Sequence, residues 1–319
     1  MILLHLSGEN TELAREEALA LAGTEEYEQY GSILLLNTKY NKILERLAFT
    51  HGIFEVFFIS DEDKILQDII NFNFNKHYKE NFRVKNLNLT GKETEFSERR
   101  LGEMIYERLQ NPHVKLTNPK TQFFFIFASE KIICCRLIKN ISKDFFQRKP
   151  HMKPEMHPTG LSPKLAKALI NLTGIKKGTI TDPFCGSGGI LVEAGLMGMN
   201  SIGYDIDRIM LKRAEINLKH YKVKKYKIEQ KDATSLNHEI DYIVTELPFG
   251  KNSKITAKPE ELNQAFFRTL DKILMKKAVI AIHDNIDHKN MIKNTKLRIN
   301  KEFSYYIHKS MTKKILLLE

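Results

Sequence analysis

Four carboxylates stand where this chain has the residue types for ligand chemistry: Asp182, Asp205, Asp232 and Glu246. Asp182 opens the run Asp182-Pro183-Phe184-Cys185-Gly186-Ser187-Gly188-Gly189, which follows the β-branched Thr179-Ile180-Thr181 and precedes the helix-like Ile190–Leu196. A strand, a glycine-rich turn and a helix are how an open α/β sheet holds a nucleotide-like ligand at the carboxyl ends of its strands. Glycine allows the backbone to approach a ligand that a Cβ would block. Ser201-Ile202-Gly203-Tyr204 reads as the next strand and ends in Asp205, an acid placed to accept hydrogen bonds from ribose hydroxyls. Lys227–Ala233 puts Asp232 at a third strand end. Asp241–Gly250 ends in Glu246-Leu247-Pro248-Phe249, an acid followed by a proline and an aromatic ring.

The elements around these residues form a strand–helix alternation. Ser162 and Pro163 are suited to cap and start a helix, with Leu165, Ala168, Leu169 and Leu172 inward and Gly174 as its stop. Asp207 is placed to cap the helix after Asp205. Residues 259–272 read as a helix and 278–282 as a fifth strand. Segments 297–308 and 313–318 read as a closing pair. This order predicts a mostly parallel α/β sheet with an antiparallel terminal hairpin. The glycine pattern is G-x-G-G, neither the dinucleotide G-x-G-x-x-G nor a Walker loop. Spacing alone therefore points to a nucleotide-like ligand without saying which.

The first half reads as α+β. Strands are expected at 2–6, 32–36 and 53–59, and helices at 11–21 and 41–48. A further helix should carry Ile65, Leu66, Ile69 and Ile70 behind an Asp63 cap. Asn81–Lys85 alternates as a strand, Ser97 precedes a helix over 98–109, and strands follow at 114–117, 121–127 and 131–137. Residues 143–161 combine Lys143, Arg148, Lys149, His151 and Lys153 with prolines and read as a linker. The expected division is 1–142, linker 143–161 and 162–319.

The 319 residues carry 50 Lys+Arg against 39 Asp+Glu, a net charge of +11. That balance favours a polyanionic partner, with a solvated basic surface as the bland alternative. Cys134, Cys135 and Cys185 fit no zinc spacing and no disulfide framework, so a reduced, cytoplasmic setting is expected and no metal site. No apolar stretch approaches the roughly 20 residues of a membrane span. Cys185 lies inside the glycine turn and reads as a small buried hydrophobe, not a nucleophile.

The order of the Asp182 turn, Asp205, Asp232 and the Glu246–Phe249 segment resembles the S-adenosylmethionine-dependent methyltransferases of the Rossmann type that modify exocyclic amines of bases. Residues 81–127 resemble the THUMP domain, an RNA-binding module of tRNA-modifying proteins. His157–Ala166, Asp182–Gly198, Gly203–Asp207 and His308–Thr312 together resemble the archaeal tRNA (guanine-N2)-methyltransferases acting at tRNA position 10. The resemblance implies S-adenosyl-L-methionine as cofactor and tRNA as partner. It implies a donor site of Asp182, Phe184, Gly186, Gly188, Asp205, Ile206, Asp232 and Ala233. Asp182 would lie against the methionine part, Asp205 would hold the ribose and Asp232 would face the adenine amine. Glu246, Leu247, Pro248 and Phe249 would hold the target amine, with Phe249 stacked on a base that has left its stack. Eukaryotic relatives also use a small zinc-binding activator protein. The family's common form is Asp or Asn followed by Pro-Pro and an aromatic residue. Here a longer acid and Leu247 stand in the first two places. Two alternatives stay open on that departure: a tRNA-binding protein with a non-catalytic methyltransferase domain, and methylation of a different tRNA guanine.

Overall fold

The computed structural model describes residues 1–155, 160–248, 259–308 and 311–319. The chain divides into two compact units. The first comprises Met1–Thr11, Thr24–Glu45 and Thr50–Ile141, and the second Glu12–Gly23, Arg46–Phe49 and Ser142–Glu319.

The elements of the first half are β1 (Ile2–Leu6), α1 (Thr11–Ala22), β2 (Glu28–Tyr30), β3 (Ile33–Leu36), β4 (Thr50–Asp61), α2 (Ile65–Asn71), β5 (Phe82–Asn88), α3 (Glu98–Tyr106), β6 (Thr121–Ala128) and β7 (Lys131–Asn140). The seven strands make one sheet in the order β2-β3-β1-β4-β7-β6-β5. Its pairs are antiparallel except β5 with β6. Period-two alternation sorts side chains to two faces. Phe123, Phe125 and Phe127 of β6 join a core with Leu101, Ile105, Ile65 and Ile69. Ile126 and Ala128 join another with Leu3, Ile33 and Leu35. Cys134 and Cys135 are buried one in each core, and burial raises both thiols well above their ordinary value.

Three expectations here need correction. The residue at the head of α2 is Lys64, with no side-chain cap, so Asp63 is not its cap. The helix expected at 41–48 is a 3-10 turn over Lys42–Arg46. The Arg46 side chain at its end donates to Asn171 Oδ1 and to the Ile175 and Lys176 carbonyls. The strand expected at 114–117 is a single bridge, Phe82 with Val114. Arg83 holds that stretch by donating to the Leu116 carbonyl and to Gln122 Oε1.

The second half contains α4 (Pro163–Leu172), β8 (Thr179–Asp182), α5 (Gly189–Leu196), β9 (Asn200–Asp205), α6 (Arg208–His220), β10 (Tyr226–Gln230), β11 (Ile240–Glu246), α7 (Pro259–Ile273), β12 (Leu274–His283), α8 (His288–Ile292), β13 (Ile299–His308) and β14 (Met311–Leu318). Its sheet runs β10-β9-β8-β11-β12-β14-β13. The first five strands are parallel, and β14 pairs antiparallel with both β12 and β13. Ser162 Oγ accepts from Leu165 N and Asp207 Oδ1 from Ile209 N, so both expected caps are in place. A cap of this kind contributes about 1 kcal/mol. α1 belongs to this unit through Glu17, which is fully buried. Its carboxylate accepts from Ala48 N, Phe49 N and Asn171 Nδ2.

Candidate active site

From β8 the chain steps to β9 and β10 on one side, then returns to β11 and β12 on the other. The carboxyl ends of β8 and β11 therefore flank a point where strand order reverses, which is where open α/β sheets form a ligand crevice. One hydrogen bond ties the two sides together: Thr245 Oγ1 of β11 donates to Asp182 Oδ1 of β8 at 2.6 Å.

On the β8 side the turn is built around its carboxylates. Asp182 Oδ1 also accepts from Phe184 N at 3.1 Å. Asp182 is fully enclosed, and burial pushes its carboxyl up to about 7 against these stabilising hydrogen bonds. Asp205 Oδ2 accepts from Gly186 N at 2.9 Å and Oδ1 from Asp207 N at 2.8 Å. Burial raises its pKa, opposed by those backbone donors. A carboxylate has about four acceptor positions, so Asp205 keeps capacity for ribose hydroxyls. Gly188 has φ +81°, and a Cβ there would lie 3.1 Å from the Ala214 Cβ. A side chain would thus be strained and crowded at the position that caps α5. A Cβ on Gly203 would come within 2.9 Å of Cys185 Sγ. The Cys185 thiol is packed and raised well above its ordinary value by burial, which suits a hydrophobe and not a nucleophile.

The remaining donor-side candidates are apolar or at turn starts. Phe184 packs edge-to-face on Phe266, with centroids 4.9 Å apart. Ile206, beside Asp205, leaves 59% of its surface exposed, an apolar face next to a carboxylate. Asp232 is exposed and caps the turn Ala233–Ser235; Thr234 N and Oγ1 both donate to its Oδ1. Ala233 is buried beneath it. A turn with glycines at 186, 188 and 189, two carboxylates that contact no cation among the described residues and an exposed isoleucine fit a cationic sulfonium nucleoside.

On the β11 side, Glu246 ends its strand opposite Ala281 of β12. Leu247 is buried and its N–H donates to the Ala281 carbonyl at 2.9 Å. Pro248 is half-buried, and Phe249 lies outside the described residues. Glu246 is ion-paired with Lys313 of β14, a residue the sequence reading missed. Lys313 pairs in register with His283 of β12. Its side chain is 12% exposed, and burial pushes its ammonium down to about 8. The available signal was a lysine pair directly before the apolar run Ile315–Leu318 in the terminal strand. Among the described residues no cluster of three or more metal-ligand side chains occurs.

Residues 150–313 match the family model of RMKL-like methyltransferase domains, and 32–215 match a DNA methylase model that stops short of Glu246. The tRNA (guanine(10)-N2)-dimethyltransferase of Methanothermobacter thermautotrophicus is 34% identical over 87% of this chain and 85% of its own length. Its namesake in Pyrococcus abyssi is 27% identical over 100% of this chain and 99% of its own. Among solved structures, TrmN from Thermus thermophilus aligns over 100% of this chain and 99% of its own with a TM-score of 0.52 at 17% identity, a likeness of fold. With a third of the residues shared with an archaeal relative across most of both chains, on a sheet that ends in this crevice, the chain belongs to the tRNA (guanine(10)-N2)-dimethyltransferase family.

Proposed function

We propose that this protein methylates the exocyclic N2 amine of guanine 10 in tRNA, using S-adenosyl-L-methionine. The observation that carries the proposal is the placement of Glu246 at the strand-order reversal, one residue from the Thr245–Asp182 bond that joins β11 to the glycine turn. The cofactor supplies an electrophilic methyl group on a sulfonium. The protein's task is to bring the amine within roughly 3–3.5 Å and align it. The Asp182 turn takes the methionine part, Asp205 the ribose and Asp232 the adenine amine, with Phe184, Ile206 and Ala233 as apolar walls. A guanine amine is a poor nucleophile because its lone pair is delocalised into the ring. Glu246 and the Leu247 carbonyl accept its N–H hydrogens and direct the lone pair towards the methyl. Lys313 holds the Glu246 carboxylate against rotation, and Pro248 stiffens the turn that follows.

The same reading assigns tRNA binding to residues 1–142 through the THUMP-like segment, joins them by the linker 143–161 and gives 162–319 the methyl transfer. The work is done on tRNA in the cytoplasm. Among the described residues no helix is long and apolar enough to cross a membrane. The net charge of +11 supports a phosphate-backbone partner, and binding should weaken as salt rises.

The test is transfer of labelled methyl to an unmodified tRNA transcript followed by nucleoside analysis. N2-methyl- or N2,N2-dimethylguanosine, lost when guanine 10 is replaced by adenine, is the expected result. Retained label in that transcript would reassign the position. No incorporation with tRNA binding intact would favour the non-catalytic alternative. Running the assay with and without a small zinc-binding activator identifies or removes that partner.

A further inference from the structure

Lys153 is a buried lysine in the segment before α4, with 8% of its surface exposed. Its Nζ lies 3.2 Å from where a Cβ on Gly189 would stand, so the ammonium reaches the first residue of α5 at the glycine turn. The nearby Glu193 carboxylate is already occupied. Arg148 Nε donates to its Oε1 at 2.8 Å and Nη2 to its Oε2 at 2.9 Å. Lys153 feels the attraction of Glu193 and the repulsion of Arg148, but makes no hydrogen bond or ion pair with any described residue. A lysine side chain this far from solvent and without a partner favours an anion at its ammonium. Its position strengthens that preference. The N-terminus of a helix carries partial positive charge and favours anions, so a cation there opposes the dipole. The N-cap of α5 is Gly188, which has no side chain to cap the first N–H groups. Ammonium and uncapped N–H groups thus converge on one place, and a bound anion satisfies both.

We infer that Lys153 binds the carboxylate of the methyl donor at the start of α5. The inference rests on the donor-binding reading above and adds a ligand from outside the sheet. Asp182 and Asp205 suit the cationic and hydroxyl parts of the donor. Neither can hold its carboxylate, because like charges repel. Lys153 supplies the missing cation, and Gly189 leaves the room for its Nζ. A tRNA backbone phosphate is the competing anion.

The experiment is calorimetry on the full chain with S-adenosylmethionine and with decarboxylated S-adenosylmethionine, which keeps the sulfonium, amine and adenosine. Wild type is expected to bind the intact donor at least tenfold more tightly, on the order of one charge-assisted hydrogen bond. Lys153→Met should bind the two alike, with affinity for the decarboxylated compound unchanged. Lys153→Arg should restore most of the discrimination. Equal discrimination by wild type and Lys153→Met overturns the inference, as does wild type binding both compounds alike. If Lys153→Met binds neither compound, Lys153→Arg decides: retained discrimination supports the role and its absence overturns it. Lost tRNA affinity with donor discrimination intact gives Lys153 to a phosphate and also overturns it. Wild type that binds neither compound removes the donor-binding reading itself, a result distinct from all of these.

Discussion

The two sides of the crevice treat their carboxylates differently. On the β8–β9 side, Asp182 and Asp205 are held by backbone N–H groups and one hydroxyl, with no cation in contact among the described residues. On the β11 side, Glu246 is held by the Lys313 ammonium. Neutral donors fix a carboxylate's position and leave its charge for a ligand. A lysine fixes the position and cancels the charge. The first arrangement suits a cationic ligand, and the second suits a neutral amine that needs an aligned acceptor more than a strong field. Lengthening the acid to Glu246 moves the carboxylate out by about a bond length, and a second contact then becomes useful to hold it.

The contrast is broken most directly by removing the charge of Asp182. Its folded value of about 7 stands above the ordinary 3.8, so folding favours the neutral acid. The cost of ionising it is absent at low pH, grows as pH rises above about 4 and is complete above about 7. That displacement corresponds to roughly 4 kcal/mol. Asp182→Asn, which can still accept from Thr245 and Phe184, should gain about that much stability over wild type near pH ~8 and little near pH ~4. Urea melts at the two values check this. Donor affinity should fall in the same variant, and a rise in both would remove Asp182 from the donor site.

Glu246→Gln comes next. Loss of a preorganised acceptor should lower methyl transfer about 10²- to 10³-fold, while donor affinity measured by calorimetry stays within about twofold. Equal loss of donor binding would erase the distinction between the two sides. Asp205→Ala should do the reverse. Donor affinity should drop about 10- to 100-fold, in line with hydrogen bonds to a charged group, with a smaller effect on the rate at saturating donor.

Lys313→Met sharpens the comparison with the smallest effect. We expect about a tenfold lower rate and unchanged donor affinity. Lys313 has its pKa lowered to about 8 by burial. It is charged below that pH, and the ion pair is lost as pH rises through it. Wild-type turnover should therefore decline above about pH 8, and Lys313→Met should lose that decline. A decline of the same size in the variant would assign it to another group.

Much of this was legible in the sequence because it is local. The Ser162 and Asp207 caps act within three residues, the glycine turn has its own backbone geometry, and the alternation in β6 sorts its phenylalanines without reference to any other strand. Asp63 and the 114–117 stretch show where local reading fails. A carboxylate near a helix start need not turn inward, and four residues with strand propensity make only one bridge when Arg83 claims the Leu116 carbonyl.

The sequence by itself determined the strand–helix order from α4 to β12, the glycine turn and the four carboxylates at or just beyond strand ends, since each depends on neighbours a few residues away. Only the tertiary structure decided which cation meets which anion. Lys313 reaches Glu246 because β14 runs antiparallel on β12 in a register that sets Lys313 opposite His283, while β11 sets Glu246 opposite Ala281. Lys153 reaches Gly189, and Arg148 takes both oxygens of Glu193. α1 joins the second unit because Glu17 finds its donors at Ala48, Phe49 and Asn171. Charges carry no period and no local propensity. Their partners are chosen by sheet register and by competition for a limited number of buried acceptors, and both exist only once the chain has folded.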